Sequence, residues 1–173
     1  MDEFRDIIEQ YRHKVYTLAY YQLGNHDDAE DATQEAFIRL WKHWGTVKTD
    51  TILQWLLRVT RNVCIDMHRK HFRERATIGG ERYEVILETV SSDQPNQRTI
   101  IEQSEFANIV QEKIRDLEEP YRSILILREI QEMSYAGIGE TLDMPINSIK
   151  GYLHRGRRLL RELLKESVTK HEK

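Results

Sequence analysis

The protein has 173 residues, of which 39% are hydrophobic, and its formal net charge is -3. No window approaches the roughly 20 apolar residues of a membrane-spanning helix, and the acidic start MDEFRDIIEQ is unlike a secretory signal. We therefore expect a cytoplasmic protein without direct membrane insertion. The single cysteine, Cys64, excludes an intramolecular disulfide and every multi-cysteine zinc site. We expect Cys64 in the core, and neither a metal nor a cofactor is predicted.

Charge is strongly segregated along the chain despite the small net value. Residues 27–37, DDAEDATQEAF, carry five carboxylates and no Lys or Arg. Residues 55–75 carry six Lys or Arg against two carboxylates, and residues 146–165 carry six against one. This distribution predicts separate acidic and basic contact surfaces.

Three amphipathic helices are predicted in residues 1–75. The first runs from about residue 3 to 23 and ends at Gly24 and Asn25. The second begins with Asp27 as its N-cap and Glu30 three positions on, and the third begins near Ile52. We expect the three to pack as a small bundle. Their apolar stripes are Phe4, Ile7, Ile8, Tyr11, Val15, Leu18 and Ala19; Ala29, Ala32, Ala36, Phe37, Leu40, Trp41 and Trp44; and Leu53, Leu56, Leu57, Thr60, Val63, Cys64 and Met67.

The helical pattern is interrupted over residues 76–102, which we interpret as a linker between two domains. This segment contains paired glycines, paired serines and a proline, and it is biased towards acidic residues. Residues 83–90, YEVILETV, could form a short strand, although no second strand is in sight to pair with it. We expect an all-α protein of two small helical domains joined by a flexible linker.

Helical periodicity returns in the second predicted domain, residues 103–173. Ala107, Val110, Ile114 and Leu117 share one face of a helix. Pro120 suits the first turn of the next helix, which continues through YRSILILREI.

The last part of this domain has the pattern of a helix-turn-helix. Ser134 can cap a short helix that ends near Leu142, residues 143–145 can form a tight turn, and Asn147 can cap a second helix. Gly139 lies where the two helices should approach closely. The second helix buries Ile149, Leu153, Gly156 and Leu160, which leaves Ser148, Lys150, Gly151, Tyr152, His154, Arg155 and Arg158 facing outward or to the sides. A helix of this kind is suited to enter the major groove of DNA.

The outward-facing groups of the second helix have the chemistry of DNA contact. Lys150 and Arg155 can donate to guanine edges or phosphates, Ser148 can reach a phosphate, and Tyr152 offers a face to a base or sugar. The alternative is a solvated basic helix end, which accounts equally well for Arg158. That alternative does not explain the basic side chains beside the turn.

The third helix of the first domain has a second basic face, opposite its apolar stripe. Asn62 offers a bidentate amide, arginines offer guanidinium groups, and Asp66 can hold a neighbouring arginine in place. The alternative is a polar surface helix on which Trp55 covers the edge of the core. The residues spaced along this face are Trp55, Arg58, Asn62, Asp66 and Arg69, and Arg61 is a further source of a guanidinium group.

The acidic helix presents a different surface. Asp31, Gln34, Glu35 and Ile38 place one aliphatic side chain among acids and an amide. This composition would repel DNA and suits a basic protein surface. A charged run is more often only a solvated face, so the interpretation depends on the basic surfaces that accompany it.

Three segments, in this order and spacing, resemble the sigma factors of bacterial RNA polymerase, and more narrowly the extracytoplasmic-function (ECF, group IV) class of the sigma-70 family. They are DAEDATQEAFIRLWKHW, QWLLRVTRNVCIDMHRK and MSYAGIGETLDMPINSIKGYLHRGRRLLREL. The resemblance implies a sigma-2 domain and a sigma-4 domain that bring core polymerase to promoters. It also implies the β′ coiled coil and β flap of core polymerase, promoter DNA and an anti-sigma factor as partners.

The resemblance further implies a role for each surface. Polymerase binding falls to Asp31, Gln34, Glu35 and Phe37 or Ile38. Reading and melting of the minus-10 element falls to Arg58, Arg61, Asn62, Asp66 and Arg69. Recognition of the minus-35 element falls to Ser148, Lys150, Gly151, Tyr152, His154, Arg155 and Arg158. In this family the linker runs towards the polymerase active-site cleft, and the acidity of residues 76–102 is compatible with mimicry of nascent RNA.

Two other classes of protein fit the sequence less well. A helix-turn-helix repressor or activator would use residues 1–75 for dimerisation or sensing and bind a symmetric operator, but its dimer interface should be apolar, and the third helix is basic. An enzyme is disfavoured because the sequence has no glycine-rich phosphate loop, no metal-ligand spacing among its seven histidines, and no nucleophile with a nearby base.

Overall fold

The computed structural model describes residues 2–77 and 105–171, and these residues fold into helices without any strand. In chain order the helices are α1 (Asp2–Leu23), α2 (His26–Lys42), α3 (Ile52–Thr77), α4 (Glu105–Asp116), α5 (Tyr121–Leu125), α6 (Tyr135–Leu142) and α7 (Ile146–His171). A short 3-10 turn, Thr49–Thr51, leads into α3, and α5 continues as a π-helical segment, Ile126–Ile130. The all-α prediction is confirmed. The predicted strand at 83–90, and nearly all of the predicted linker, lie outside the described residues.

The first two helices meet at a short turn that the sequence located correctly but capped wrongly. Gly24 takes a positive φ of 81°, which a residue without a Cβ adopts at little cost. The N-cap of α2 is Asn25, whose side chain accepts a hydrogen bond from the Asp28 amide at 2.8 Å. The prediction of Asp27 as the cap was wrong, because α2 begins at His26. Asp27 lies in the first turn of α2, where its negative charge interacts favourably with the positive end of the helix dipole.

Helices α1, α2 and α3 form the predicted three-helix bundle. Its centre contains Val15, Ala36 and Leu40, and a neighbouring cluster buries Ala32 and Cys64. Small alanines on α2 allow that helix to approach its neighbours closely. The predicted stripe on α2 ends too late, because Trp41 is 52% exposed and Trp44 is 36% exposed. Both tryptophan rings instead contact Phe4 edge to face at the end of the bundle, with centroids 4.9 and 5.0 Å away.

The second half of the described chain contains the predicted helix-turn-helix, α6 and α7. Ser134 caps α6 by accepting a hydrogen bond from the Gly137 amide at 3.0 Å. Asp143 adopts the left-handed conformation after α6, with φ of 55°. Helix α7 begins at Ile146, so Asn147 lies inside it, and its predicted capping role was wrong. Pro145 instead supplies the carbonyl that accepts from Ile149 at 3.1 Å.

The two halves pack directly against each other. Leu18 from α1 and Leu57 from α3 belong to the same buried cluster as Ile114, Ile138 and residues of the second half. Further packing comes from Tyr21 and Leu53, which are partly buried against this cluster. The main junction therefore lies where α3 packs against α6 and where α1 packs against α4 and the π-helical segment.

None of the helices in the described part of the chain is both long enough and apolar enough to span a membrane.

Candidate nucleic-acid and polymerase surfaces

The outer side of α7 is the most open basic surface of the helix-turn-helix. Ile149 and Leu153 anchor α7 in the core, at 0% and 2% exposure. The seven residues predicted to contact the minus-35 element divide into two groups. Lys150, His154, Arg155 and Arg158 are exposed, whereas Ser148, Gly151 and Tyr152 are partly buried.

The turn before α7 is fixed by backbone contacts. The amide of Met144 donates to the carbonyl of Gly139 at 3.0 Å. A Cβ added to Gly139 would lie 2.8 Å from the carbonyl oxygen of Met144. The expected close approach at Gly139 is confirmed, but the group that comes close is the turn itself. This tight turn sets the angle at which α7 leaves α6.

Aromatic rings lie beside two basic side chains of α7. The Arg155 guanidinium carbon lies 5.0 Å from the centroid of the Tyr152 ring, and the Lys150 ammonium lies 5.8 Å from that of Tyr135. Tyr152 also contacts Tyr121 edge to face, with centroids 5.4 Å apart. The Tyr152 ring therefore already contacts other side chains of its own domain.

The basic face of α3 is split by the packing of the two halves. Asn62, Asp66 and Arg69 are exposed, and an Arg69 nitrogen lies 3.9 Å from an Asp66 oxygen, so the carboxylate does accompany an arginine. Trp55 is partly buried at the edge of the bundle core, 5.8 Å from the His43 ring. This position matches the structural alternative considered for Trp55.

Arg58 and Arg61 contact the second half of the chain. Arg58 donates from Nε to the carbonyl of Thr141 at 2.8 Å and from Nη2 to the carbonyl of Glu140, at the end of α6. Arg61 donates to Ser123 Oγ at 2.9 Å and forms an ion pair with Glu119 at 3.3 Å. In this arrangement both guanidinium groups have partners in the second half, although Arg58 remains exposed.

A buried polar network surrounds this contact, and sequence reasoning did not find it. Gln22, which is fully buried, donates to Ser123 Oγ at 2.9 Å and to a Glu119 oxygen at 3.1 Å. Arg122 donates to the side-chain oxygen of Gln22 at 3.3 Å. The one signal of this network in the sequence was a polar residue in register with Val15, Leu18 and Ala19 of α1. A residue at that position is buried, and a buried amide needs a hydrogen-bond partner.

Two titratable groups of α3 lie next to this network. His68 contacts the carbonyl of Gln22 at 2.9 Å, and burial lowers the pKa of the imidazole, with Arg122 and His71 adding to the effect. Burial raises the pKa of the Cys64 thiol to about 12, with the Glu119 charge adding to the shift. Cys64 is a core residue, as predicted, and no cluster of potential metal ligands occurs in residues 2–77 or 105–171.

The acidic surface of α2 borders an apolar groove of about 530 Å³ between α1 and α2. Asp31 and Gln34 are exposed, and Glu35 pairs with Arg39 at 2.7 Å. Of the two alternatives for an apolar contact, Ile38 is 48% exposed, whereas Phe37 is 8% exposed and belongs to the core. The groove is lined by Phe4, Ile8, Arg12, Glu30, Thr33, Gln34, Phe37, Ile38 and Trp41.

Comparison with protein families identifies both halves. A model of sigma-70 region 2 matches residues 7–74, and a model of sigma-70 region 4 matches residues 107–160. The two halves therefore have the organisation of a sigma-70-type transcription initiation factor.

Similarity to individual proteins narrows this class. The ECF RNA polymerase sigma factor SigW of Bacillus subtilis is 34% identical over 169 residues, which cover 95% of this chain and 90% of SigW. The ECF sigma factor SigE of Mycolicibacterium smegmatis is 34% identical over 164 residues, covering 95% of this chain and 62% of SigE. The sigma factor RpoE of Bartonella quintana, crystallised with the anti-sigma factor NepR, has the same fold, with a TM-score of 0.73, 22% identity, and coverage of 95% and 98%.

The chain belongs to the ECF RNA polymerase sigma factors. Its function is therefore promoter recognition in transcription initiation, and it is not an enzyme. This membership decides against the operator-binding dimer considered from the sequence.

Proposed function

We propose that this sigma factor recognises promoters through two basic surfaces, on α7 and α3, and binds core polymerase through the acidic face of α2. The boundaries that we propose for its domains are 1–75 for sigma-2, 76–102 for the linker and 103–173 for sigma-4. Its place of action would be the cytoplasm, where core polymerase and promoter DNA are available.

The observation that carries the proposal is the exposed basic side of α7, which stands on a tightly fixed turn. Lys150 and Arg155 extend from the half of the helix next to that turn, where recognition helices contact base edges. Among the described residues neither side chain has a carboxylate within ion-pair distance. Their charges therefore remain available to phosphates and to guanine edges in the minus-35 duplex.

Minus-10 binding would use the other basic surface, on α3. Asn62, Asp66 and Arg69 are already exposed, but Arg58 and Arg61 must exchange their partners in the second half for DNA. We infer that the packed arrangement is the form of the free protein, and that the domains separate when polymerase is bound. Opening would then couple recruitment by polymerase to DNA binding. The same two arginines hold the halves together in the packed form and contact DNA in the open form.

Polymerase binding would use the acidic face of α2 together with the adjoining groove. Asp31, Gln34 and Ile38 form an exposed rim of acid, amide and aliphatic groups, and the groove beside them accepts apolar side chains. We propose the β′ coiled coil as the partner here and the β flap as a partner of the sigma-4 domain. An anti-sigma factor is a further proposed partner, in line with the complex in which RpoE of Bartonella quintana was crystallised.

A reciprocal pair of variants tests this division of labour. Lys150→Ala should lose transcription that depends on the minus-35 element while still co-purifying with core polymerase. Asp31→Arg should weaken the polymerase complex roughly tenfold or more, because it places a like charge against a basic partner. Glu9→Arg makes the same change on an exposed position of α1 and should retain normal affinity.

The division of labour would be refuted by either crossed result. Loss of polymerase binding in Lys150→Ala would contradict the assignment of α7, and normal affinity of Asp31→Arg would contradict the assignment of α2.

A further inference from the structure

Helix α7 contains an arginine, Arg155, that contacts an aromatic ring instead of a carboxylate. The Arg155 guanidinium carbon lies 5.0 Å from the centroid of the Tyr152 ring, within the range of a cation–π interaction. Two positions further on, Arg157 donates to a Glu129 oxygen at 2.6 Å. A carboxylate partner neutralises an arginine, whereas a ring fixes the guanidinium and leaves its charge available to DNA.

The ring of Tyr152 is itself held in place. It is partly buried against the core of the second half and contacts Tyr121 at an interplanar angle of 70°. Edge-to-face pairs of this kind contribute beyond their buried area, and packing restricts the rotamers of Tyr152. The ring is therefore a fixed platform on the surface of α7.

The platform directs Arg155 towards the turn. A Cβ placed on Gly151 would lie 3.8 Å from Arg155 Nη2, so the guanidinium has folded back by about one helical turn. Side chains on a helix lean towards its N-terminus, and the ring stabilises this direction. The charge of Arg155 is thereby moved into the half of α7 that enters the major groove.

We propose that Tyr152 is a positioning residue for minus-35 recognition, which holds the Arg155 guanidinium ready to bind a guanine edge and makes no base contact of its own. This inference rests on the proposed function of α7. It departs from the expectation that Tyr152 contacts a base or sugar directly. Holding the guanidinium in advance reduces the rotamer entropy lost when it binds.

The test uses holoenzyme reconstituted with core polymerase. The probe is a duplex promoter fragment selected by the wild-type holoenzyme from a pool with a randomised upstream element. Binding affinity and upstream base preference are measured at fixed salt for Tyr152→Phe, Tyr152→Leu, Arg155→Ala and the Tyr152→Leu/Arg155→Ala double variant. Thermal unfolding of each free variant reports any loss of stability.

The proposal predicts a specific pattern of affinities. Tyr152→Phe should bind within about twofold of wild type because it keeps the ring, and Tyr152→Leu should lose roughly 3- to 10-fold. Tyr152→Leu and Arg155→Ala should relax the preference at the same base position. In the Arg155→Ala background, Tyr152→Leu should change affinity by less than about twofold.

Two results would overturn the proposal. Equal losses for Tyr152→Phe and Tyr152→Leu would assign the effect to the hydroxyl, and multiplicative losses in the double variant would show independent contacts. A failure of the proposed function looks different, because Arg155→Ala would then leave both affinity and base preference unchanged.

Discussion

Gln22 is a fully buried polar residue at the junction between the two halves. Its amide is fully buried and bonds Ser123, Glu119 and Arg122, all from the second half of the chain. A buried amide that loses such partners costs about 1 to 3 kcal/mol. The imidazole of His68 contacts the Gln22 carbonyl at 2.9 Å, and burial lowers its pKa.

His68 should make the free energy of unfolding fall as the pH drops below about 6.5, the usual pKa of a histidine. The folded pKa is lowered, so the unfolded chain binds more protons in the window between the two pKa values. His68→Gln keeps a donor for the Gln22 carbonyl but cannot titrate. The thermal midpoint of this variant should therefore decline less between pH 7 and pH 5 than that of the wild type.

His13→Gln, at an exposed position of α1, controls for the loss of one histidine. An identical decline in His68→Gln and wild type would contradict the assigned role of burial at His68.

At the scale of single residues, the sequence predicts the position of a side chain correctly where its burial follows from the apolar pattern alone. Cys64 and Leu153 follow the helical apolar period, so their places in the core could be predicted. The partners of Arg58 and Arg61 could not, because they lie 58 to 83 positions away along the chain. Helical periodicity places a side chain on a face but does not determine which distant element covers that face.

Among the elements, the turn between α6 and α7 is the one that orients the surface proposed to bind the minus-35 element. Its left-handed Asp143 and the contact between Gly139 and Met144 fix the orientation of α7. The sequence predicted the turn and the Ser134 cap, because both depend on local residue chemistry. It placed the start of α7 two residues late, since Asn147 is a good cap by type but Pro145 already supplies the needed carbonyl.

Gly139→Ala should lower the thermal midpoint of the protein, because its Cβ would meet a backbone carbonyl at 2.8 Å. Overpacking of this kind costs about 1 to 3 kcal/mol, which exceeds the roughly 1 kcal/mol that alanine gains over glycine in a helix. Gly151→Ala is the matched control in α7, where the Cβ meets only the end of the Arg155 side chain at 3.8 Å. The control should be neutral or stabilising, and equal midpoints for the two variants would contradict the steric account.

The molecule as a whole presents two proposed contact surfaces, on α2 and α7, in one packed arrangement. Arg58 and Arg61 connect the halves, while the acidic face of α2 and the basic side of α7 remain exposed. The all-α architecture followed from periodicity in each half. The packing between the halves did not, because both its shared apolar cluster and its polar contacts join residues that are distant in sequence.

Glu119→Ala should loosen the junction, because it removes an acceptor shared by Arg61, Gln22 and Ser123. The free variant should show a larger radius of gyration in small-angle X-ray scattering and bind single-stranded minus-10 DNA more tightly than the wild type. Glu118→Ala removes the same charge from the adjacent exposed position and should do neither. Indistinguishable behaviour of the two variants would argue against release of Arg61 through opening.

Promoter recognition through two separate elements is tested by transcription with purified core polymerase and this protein on a pool of genomic promoter fragments. We expect initiation at a set of fragments that share an element at the minus-35 position and another at the minus-10 position. We also expect no specific duplex binding by the protein alone. Failure to support initiation, together with tight binding of a palindromic duplex by the protein alone, would contradict recognition of this kind.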